Sequence, residues 1–331
     1  LRLLFTDKKE TFMKKSMIWL SSLLLFGALT LFTSCDDDDD DMMEGPQDIV
    51  TFAQNSDDYT ILAEAVEAAN LDGVLSGTGP YTVFAPDNDA FQALLDSNPD
   101  WNALEDIPTE VLAAVLTNHV LGGERGSADL MDGYYNTLSA TSFGDATTSL
   151  YVNLDNGVTL NGGPQVVAAD VKVDNGVIHG IDAVIGLPTV VTFATSNPAL
   201  STLVAALTRD DLSTDFVATL SGDGPFTVFA PTNTAFQNLL DSNDDWNTLD
   251  DIPAETLEAV LLYHVTDEGN VRSGALMDDM NVNTLAGESL TVDLSGSAPV
   301  IEGGSSSAEV VLADIQGVNG VVHVIDEVLL P

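Results

Sequence analysis

Gly79-Pro80-Tyr81-Thr82-Val83-Phe84-Ala85-Pro86-Asp87-Asn88-Asp89-Ala90-Phe91-Gln92-Ala93-Leu94-Leu95-Asp96 reads as a turn, a short buried strand and a helix. Gly-Pro punctuates the chain. Tyr81 to Phe84 is aromatic and β-branched, which favours a strand, and Pro86 ends it. Asp87 or Asn88 is placed to accept from the free N–H groups of a helix start. Phe91, Leu94 and Leu95 then share one helix face. The stretch returns at residues 224–241, with Thr232 or Asn233 at the cap and Phe236 and Leu239 on the face. These residues build a core, and contact with a ligand is not expected of them.

The repetition extends outward. Trp101 matches Trp246, Pro108 matches Pro253 and His119 matches His264, each 145 residues apart. A period of that length is a domain, well above the periods of solenoids. The chain therefore reads as two tandem domains, 48–188 and 189–331. Leu187-Pro188-Thr189 joins them without a Gly/Ser linker, so little swing is expected. Each copy begins with a helix, near 59–69 and 199–208. The quoted unit follows, then a helix starting at Pro108 or Pro253. Gly-rich alternating segments come last, with strands near 137, 149–154, 157–160, 165–173 and 176–185. Asn175-Gly176 and Asn319-Gly320 suit a type I′ hairpin turn. Helices gather early and strands late, which is α+β order.

With these residues laid out, the chain resembles fasciclin-type (FAS1) domains. The Thr-Val-Phe-Ala-Pro segments are similar to the first signature of that family. Residues 175–188 and 319–331, Asn-Gly-Val-(Ile/Val)-His followed by an apolar run to Pro, are similar to the second. The resemblance covers nearly all of 48–331. It implies two wedge-like β-sandwiches flanked by helices, and a role in adhesion or contact with extracellular matrix.

Of 331 residues, 52 are acidic and 9 basic. Two acids and five bases precede Cys35, which leaves 50 against 4 and a formal charge of −46 beyond it. Phosphate contacts need clustered Lys and Arg, so nucleic acid is excluded as a partner, as is attraction to anionic lipid. A surface this acidic repels itself until salt screens it. It suits saline or Ca²⁺/Mg²⁺-rich surroundings, or serves solubility alone.

Met13, Lys14 and Lys15 precede an apolar run from Met17 to Phe32, closed by Thr33-Ser34-Cys35. This is a secretory signal, too short for a bilayer span of about 20 residues. Residues 1–12 read as an upstream extension from a mis-assigned start. Cys35, the single cysteine, follows a segment resembling the lipobox of bacterial lipoproteins, with Phe32 in place of the usual Leu. The resemblance implies lipidation at Cys35; the alternative is a signal peptide with an incidental cysteine. Asp36 to Asp41 extend by self-repulsion and, with the residues to Gln47, form a tether of about 40–45 Å at most. Acids at this place resemble the surface-export signal of Bacteroidetes lipoproteins; a plain solvated spacer is the other reading.

The four histidines form repeat-matched pairs. His119 and His264 close an apolar helix stripe, where an imidazole can satisfy the last carbonyls. His179 and His323 share a strand face with apolar residues. Hydrogen-bonded core histidines are the plain reading; a metal pair of His119 with His179 finds no supporting ligand spacing. A Tyr-His pair at this place in animal relatives is associated with integrin adhesion, which makes Tyr263, His264 and His119 candidate binding residues; no integrin is expected for a bacterial envelope protein, so the pair reads first as structural. The first domain departs from the pattern with Asn118. Asp96, Asn98 and Asp100 have the 1, 3, 5 spacing of a calcium loop start, as do Asp241, Asn243 and Asp245, but Trp101 and Ile107 break the rest.

No catalytic residue, metal ligand set or cofactor motif emerges. The combined reading is a non-enzymatic, lipid-anchored cell-envelope protein. Its tandem domains bind extracellular matrix, a polysaccharide or a cell-surface protein, and it touches the membrane only through its anchor. The expected place is the outer membrane facing outward, or alternatively the periplasm. A carbohydrate-active or other cryptic enzyme-associated surface protein is the second reading, and a structural envelope spacer the third.

Overall fold

The computed structural model describes residues 47–331. Cys35, the apolar run before it and the acidic tether lie outside the described residues. In the first repeat the order is α1 (Ile49–Asn55), α2 (Thr60–Ala68), α3 (Asp72–Leu75), β1 (Tyr81–Pro86), α4 (Asn88–Asp96), α5 (Thr109–Asn118), β2 (Val120–Gly122), β3 (Gly133–Ala140), β4 (Thr147–Asn153), β5 (Thr159–Leu160), β6 (Val166–Val173) and β7 (Gly176–Ile181). The second repeat runs α6 (Val190–Ser196), α7 (Ser201–Leu207), α8 (Phe216–Leu220), β8 (Phe226–Pro231), α9 (Asn233–Asp241), α10 (Ala254–Tyr263), β9 (Val265–Thr266), β10 (Met280–Asn283), β11 (Ser289–Asp293), β12 (Val300–Glu302), β13 (Ser307–Gln316) and β14 (Gly320–Ile325). No single helix among the described residues is long and apolar enough to cross a membrane.

Each repeat forms a seven-stranded sheet, ordered β5-β4-β3-β2-β1-β7-β6 in the first and β10-β11-β12-β13-β14-β8-β9 in the second. Numbered within each repeat, these are the same circuit opened at different joints. The first opens between its fifth and sixth strands, the second between its second and third. Backbone bonds lace both openings. Leu160 N–H donates to Pro164 O at 2.8 Å and Val166 N–H to Val158 O at 2.9 Å; in the second repeat Leu285 N–H reaches Val265 O at 2.8 Å. The sandwich is thus one folded-over strand circuit, which leaves few bare edges for unwanted pairing.

β1 sits mid-circuit, antiparallel to β2 and parallel to β7. Its side chains alternate between two cores. Val83 and Ala85 face the helices, and Phe84 faces the interior of the sandwich. Val228, Ala230 and Phe229 repeat the division. A strand buried on both faces reads as a continuous apolar run, as Val-Phe-Ala does. In α4, Phe91 and Leu95 are buried and Leu94 is half-buried, whereas the second copy buries Leu239 as well.

The paired cap candidates divide two tasks. Asp87 accepts from Ala90 N–H at 2.8 Å and caps α4, as Thr232 caps α9 through Ala235 N–H at 3.2 Å. Asn88 braces the neighbouring helix instead, accepting from Ile61 N–H at 3.0 Å and donating to Asp57 O at 2.8 Å. Asn233 does the same with Thr202 N–H and Pro198 O.

The hairpin turn is not the type I′ turn that Asn175-Gly176 suggests. β6 and β7 do form a hairpin, but Val173 pairs with Gly176, so Asp174 and Asn175 make the turn. Neither Asn175 nor Asn319 has the positive φ that a type I′ turn requires. Asn175 is buried because its side chain works as a clamp. It accepts from Ile49 N–H at 3.0 Å and donates to Leu75 O at 2.7 Å and Gly77 O at 2.9 Å. Asn319 repeats all three bonds on Val190, Leu220 and Gly222. Gly79 (φ +55°) passes so close beneath that any Cβ would collide with the Asn175 carbonyl oxygen.

The two repeats touch directly. Gln316 N–H donates to Ser149 Oγ at 3.0 Å and Val318 N–H to Pro188 O at 2.8 Å. The Tyr134 ring meets Phe193 edge-on at 5.7 Å, and Asn197 Nδ2 donates to its hydroxyl at 3.1 Å.

Candidate functional site

His119 and His264 are the C-caps of α5 and α10, and both are buried. His119 Nδ1 lies 2.7 Å from Val115 O, one turn back, and Nε2 accepts from Ile185 N–H at 2.8 Å. His264 does the same with Val260 O at 2.7 Å and Leu329 N–H at 2.9 Å. This arrangement fixes the neutral Nδ1–H tautomer. Burial pushes both imidazoles down to about 4, against the raising effect of the helix carbonyl. Each ring bolts the end of a helix to the segment following the last strand of its repeat.

Tyr263 is 1% exposed. Its hydroxyl donates to Ser289 O at 3.2 Å and accepts from Gly304 N–H at 3.1 Å. Asn118 holds the matching place by similar means, accepting from Thr148 Oγ1 at 2.6 Å and donating to Gly186 O at 3.1 Å. Tyr263, His264 and His119 therefore tie helix to sheet in the core, and their polar atoms face protein groups on every side. The structure does not bring His119 and His179 together on a shared ligand position. Both nitrogens of each ring are engaged elsewhere, and no metal-binding cluster occurs among the described residues. The segment after α4 is a turn: Asn98 Oδ1 accepts from Asp100 N–H at 3.0 Å, and Asn243 repeats this with Asp245.

A grouping not anticipated from the sequence occurs in both repeats. Ser127 donates through N–H to Asp170 Oδ1 at 2.7 Å and through Oγ to Oδ2 at 2.5 Å. Asp170 N–H in turn donates to His179 Nδ1 at 3.2 Å, and His179 Nε2 lies 2.9 Å from Arg125 O. Ser273, Asp314, His323 and Val271 O repeat the network. Both aspartates sit at φ +63° in a bulged strand, a conformation costly for a side chain with a Cβ and held here by its hydrogen bonds. The Ser127 hydroxyl holds the Asp170 carboxyl below the usual carboxylate range. Burial lowers His323. The signal was present in the spacing: Ser127 and Ser273 lie 146 apart, and Asp170 and Asp314 lie 144 apart.

Serine, histidine and aspartate invite comparison with a nucleophilic triad, and the wiring differs from one. In a triad the serine hydroxyl gives its proton to a free imidazole nitrogen, and the carboxylate orients the ring. Here the serine proton goes to the carboxylate. The imidazole accepts from a backbone N–H and donates to a carbonyl, so no lone pair remains to act as base. The network fastens the loop before β3 onto the bulge of β6, and the loop before β10 onto that of β13.

The fasciclin domain family matches residues 57–188 and 198–331. The chain belongs to that family. It is 30% identical over 278 residues to pig transforming growth factor-beta-induced protein ig-h3, covering 78% of this chain and 35% of that protein. Human periostin is 27% identical over 293 residues, 86% of this chain and 31% of periostin. Protein sll1483 of Synechocystis is 39% identical over 155 residues. The chain thus spans about a third of the length of the two animal relatives. A solved domain pair from the insect cell adhesion molecule fasciclin I is similar at a TM-score of 0.47 and 21% identity, over 82% of this chain and 95% of that one. The tandem fasciclin arrangement and its α+β fold match the resemblance drawn from the two signature segments.

Proposed function

We propose that the protein is a non-enzymatic adhesion protein of the bacterial cell envelope. Cys35 carries the lipid anchor, the acidic tether holds the domains off the membrane, and the pair of fasciclin domains binds matrix, a polysaccharide or another cell's surface. Membership of the fasciclin family supports adhesion over chemistry, and so does the structural wiring of both Ser–Asp–His networks. The observation that carries the reading is a surface one. Met131 is 69% exposed and Met277, its counterpart one repeat on, is 64% exposed; Val167 and Val311 recur in the same way. Single exposed apolar residues are ordinary. Apolar residues recurring in register on an otherwise acidic surface give a partner two equivalent handles, and methionine adapts its shape to what it meets.

Protease shaving of intact cells tests the placement. Release of a fragment containing both domains is the expected result, and full protection would place the protein in the periplasm. Binding of the purified chain to cells, glycans and envelope proteins in saline tests the adhesion itself. No binding to any of them would overturn it.

A further inference from the structure

The second repeat contains a cavity of about 270 Å³ between its helices and its sheet. The floor is the second copy of the quoted segment, Val228, Phe229 and Ala230, with Leu261 beside it. The mouth lies among Val191, Ala194, Val204 and the exposed Val217. At the matching place of the first repeat Ala53, the counterpart of Ala194, is buried, at 4% exposed.

The connection between the second and third helices explains the difference. Three residues, 69–71, join α2 to α3, and Leu71 N–H bonds straight back to Val66 O at 3.0 Å. Eight residues, 208–215, join α7 to α8. The longer loop is fixed in place. Glu258 accepts from Ser213 N–H at 3.1 Å, Ser213 Oγ at 2.6 Å and Thr214 Oγ1 at 2.5 Å. Arg209 donates to Leu249 O at 2.7 Å and Ile252 O at 2.9 Å. The first repeat has Ala113 where the second has Glu258. The extra residues and the carboxylate that anchors them occur in the same repeat.

The lining defines the occupant. Its hydroxyls are committed: Thr195 donates to Val191 O at 3.0 Å and Thr208 to Val204 O at 2.8 Å. His264 spends both ring nitrogens on the backbone. Water entering such a space finds no partners, whereas hydrocarbon gains contacts on all sides. A dry cavity of about 150 Å³ holds benzene, so this one accommodates about ten carbon atoms. The surrounding surface, with 50 acids against 4 bases beyond Cys35, repels an anionic headgroup.

We propose that the second domain carries a binding site for the hydrocarbon part of a neutral small molecule of about ten carbons. This site is separate from adhesion, so either can fail without the other. The test titrates the full chain with 1-aminonaphthalene, a neutral, environment-sensitive fluorophore of ten carbons, and competes it with decanol and with decanoate. One saturable site per chain is expected, displaced by decanol and at least about tenfold less well by decanoate. Ala194→Phe fills the mouth and abolishes binding without lowering Tm. Val217→Arg, at an exposed rim position, folds normally and narrows the gap between decanol and decanoate. Val74→Phe, on α3 of the first repeat, leaves binding unchanged. The proposal is overturned by absence of a saturable signal, by decanoate competing as well as decanol, by Ala194→Phe and Val217→Arg titrating like the parent chain, or by loss of binding in Val74→Phe.

Discussion

His119 and His264 show how much one residue can fasten. Each neutral ring receives a backbone N–H from the segment after the last strand and returns a proton to its own helix. Protonating Nε2 would destroy the first bond and bury a charge. The sign of the pH dependence follows. Unfolding releases each imidazole from about 4 to its ordinary 6.5, so the unfolded chain binds more protons between those values. The stabilisation is complete above pH 6.5 and is lost as pH falls toward 4, about 3 kcal/mol for each ring. Most carboxylates titrate below this window, so between pH 6.5 and 5 the histidines dominate the slope. Denaturant titrations across that range should show stability falling with pH. The His119→Gln, His264→Gln double variant, less stable at pH 7, should show a much shallower fall. Parallel curves for the two proteins would remove the histidines from the account.

Among elements, the quoted unit was legible because each of its signals is local. Gly-Pro, a β-branched run, a capping side chain and a helical apolar face all act within a few residues, and all appear where read. The division of labour between Asp87 and Asn88 was not legible, since Asn88 reaches α2, 27 residues earlier. The turn at Asn175 departs from its local signal for the same reason. Its partners lie 98 to 126 residues away, and a clamp of that span leaves no trace in local turn preferences. The Ser127–Asp170–His179 network likewise joins three separate strands and loops, although its repetition at nearly equal spacing could have exposed it. The two cap-position residues can be separated by experiment. Asp87→Ala removes one cap bond and should cost about 1 kcal/mol. Asn88→Ala frees Ile61 N–H and Asp57 O together and should cost about 2 kcal/mol. Chemical denaturation that ranks the two in the opposite order would contradict the assignment.

For the whole molecule, two facts set the behaviour: the repeats are in direct contact, and their surface is strongly acidic. Tyr134, Phe193 and Asn197 bring the repeats together, with Gln316 bonded across to Ser149. Burial raises the Tyr134 hydroxyl well above the usual tyrosine range, as befits a side chain sealed in a contact. Like-charge repulsion opposes this compactness. Added NaCl should raise Tm steeply at first and then level off as the screening length falls to about 8 Å near physiological ionic strength. A Tm independent of salt would mean that the acids are not felt by the folded state.

The most direct test measures attachment of cells displaying the full chain to a surface coated with envelope polysaccharide and matrix protein, in saline. Two double variants are compared with the parent. Ser127→Ala, Ser273→Ala should attach like the parent, because the serine networks are structural. Met131→Lys, Met277→Lys should lose most of the attachment while folding normally. Attachment abolished by the serine variant at unchanged Tm, or untouched by the methionine variant, would contradict adhesion through the exposed faces of the two fasciclin domains.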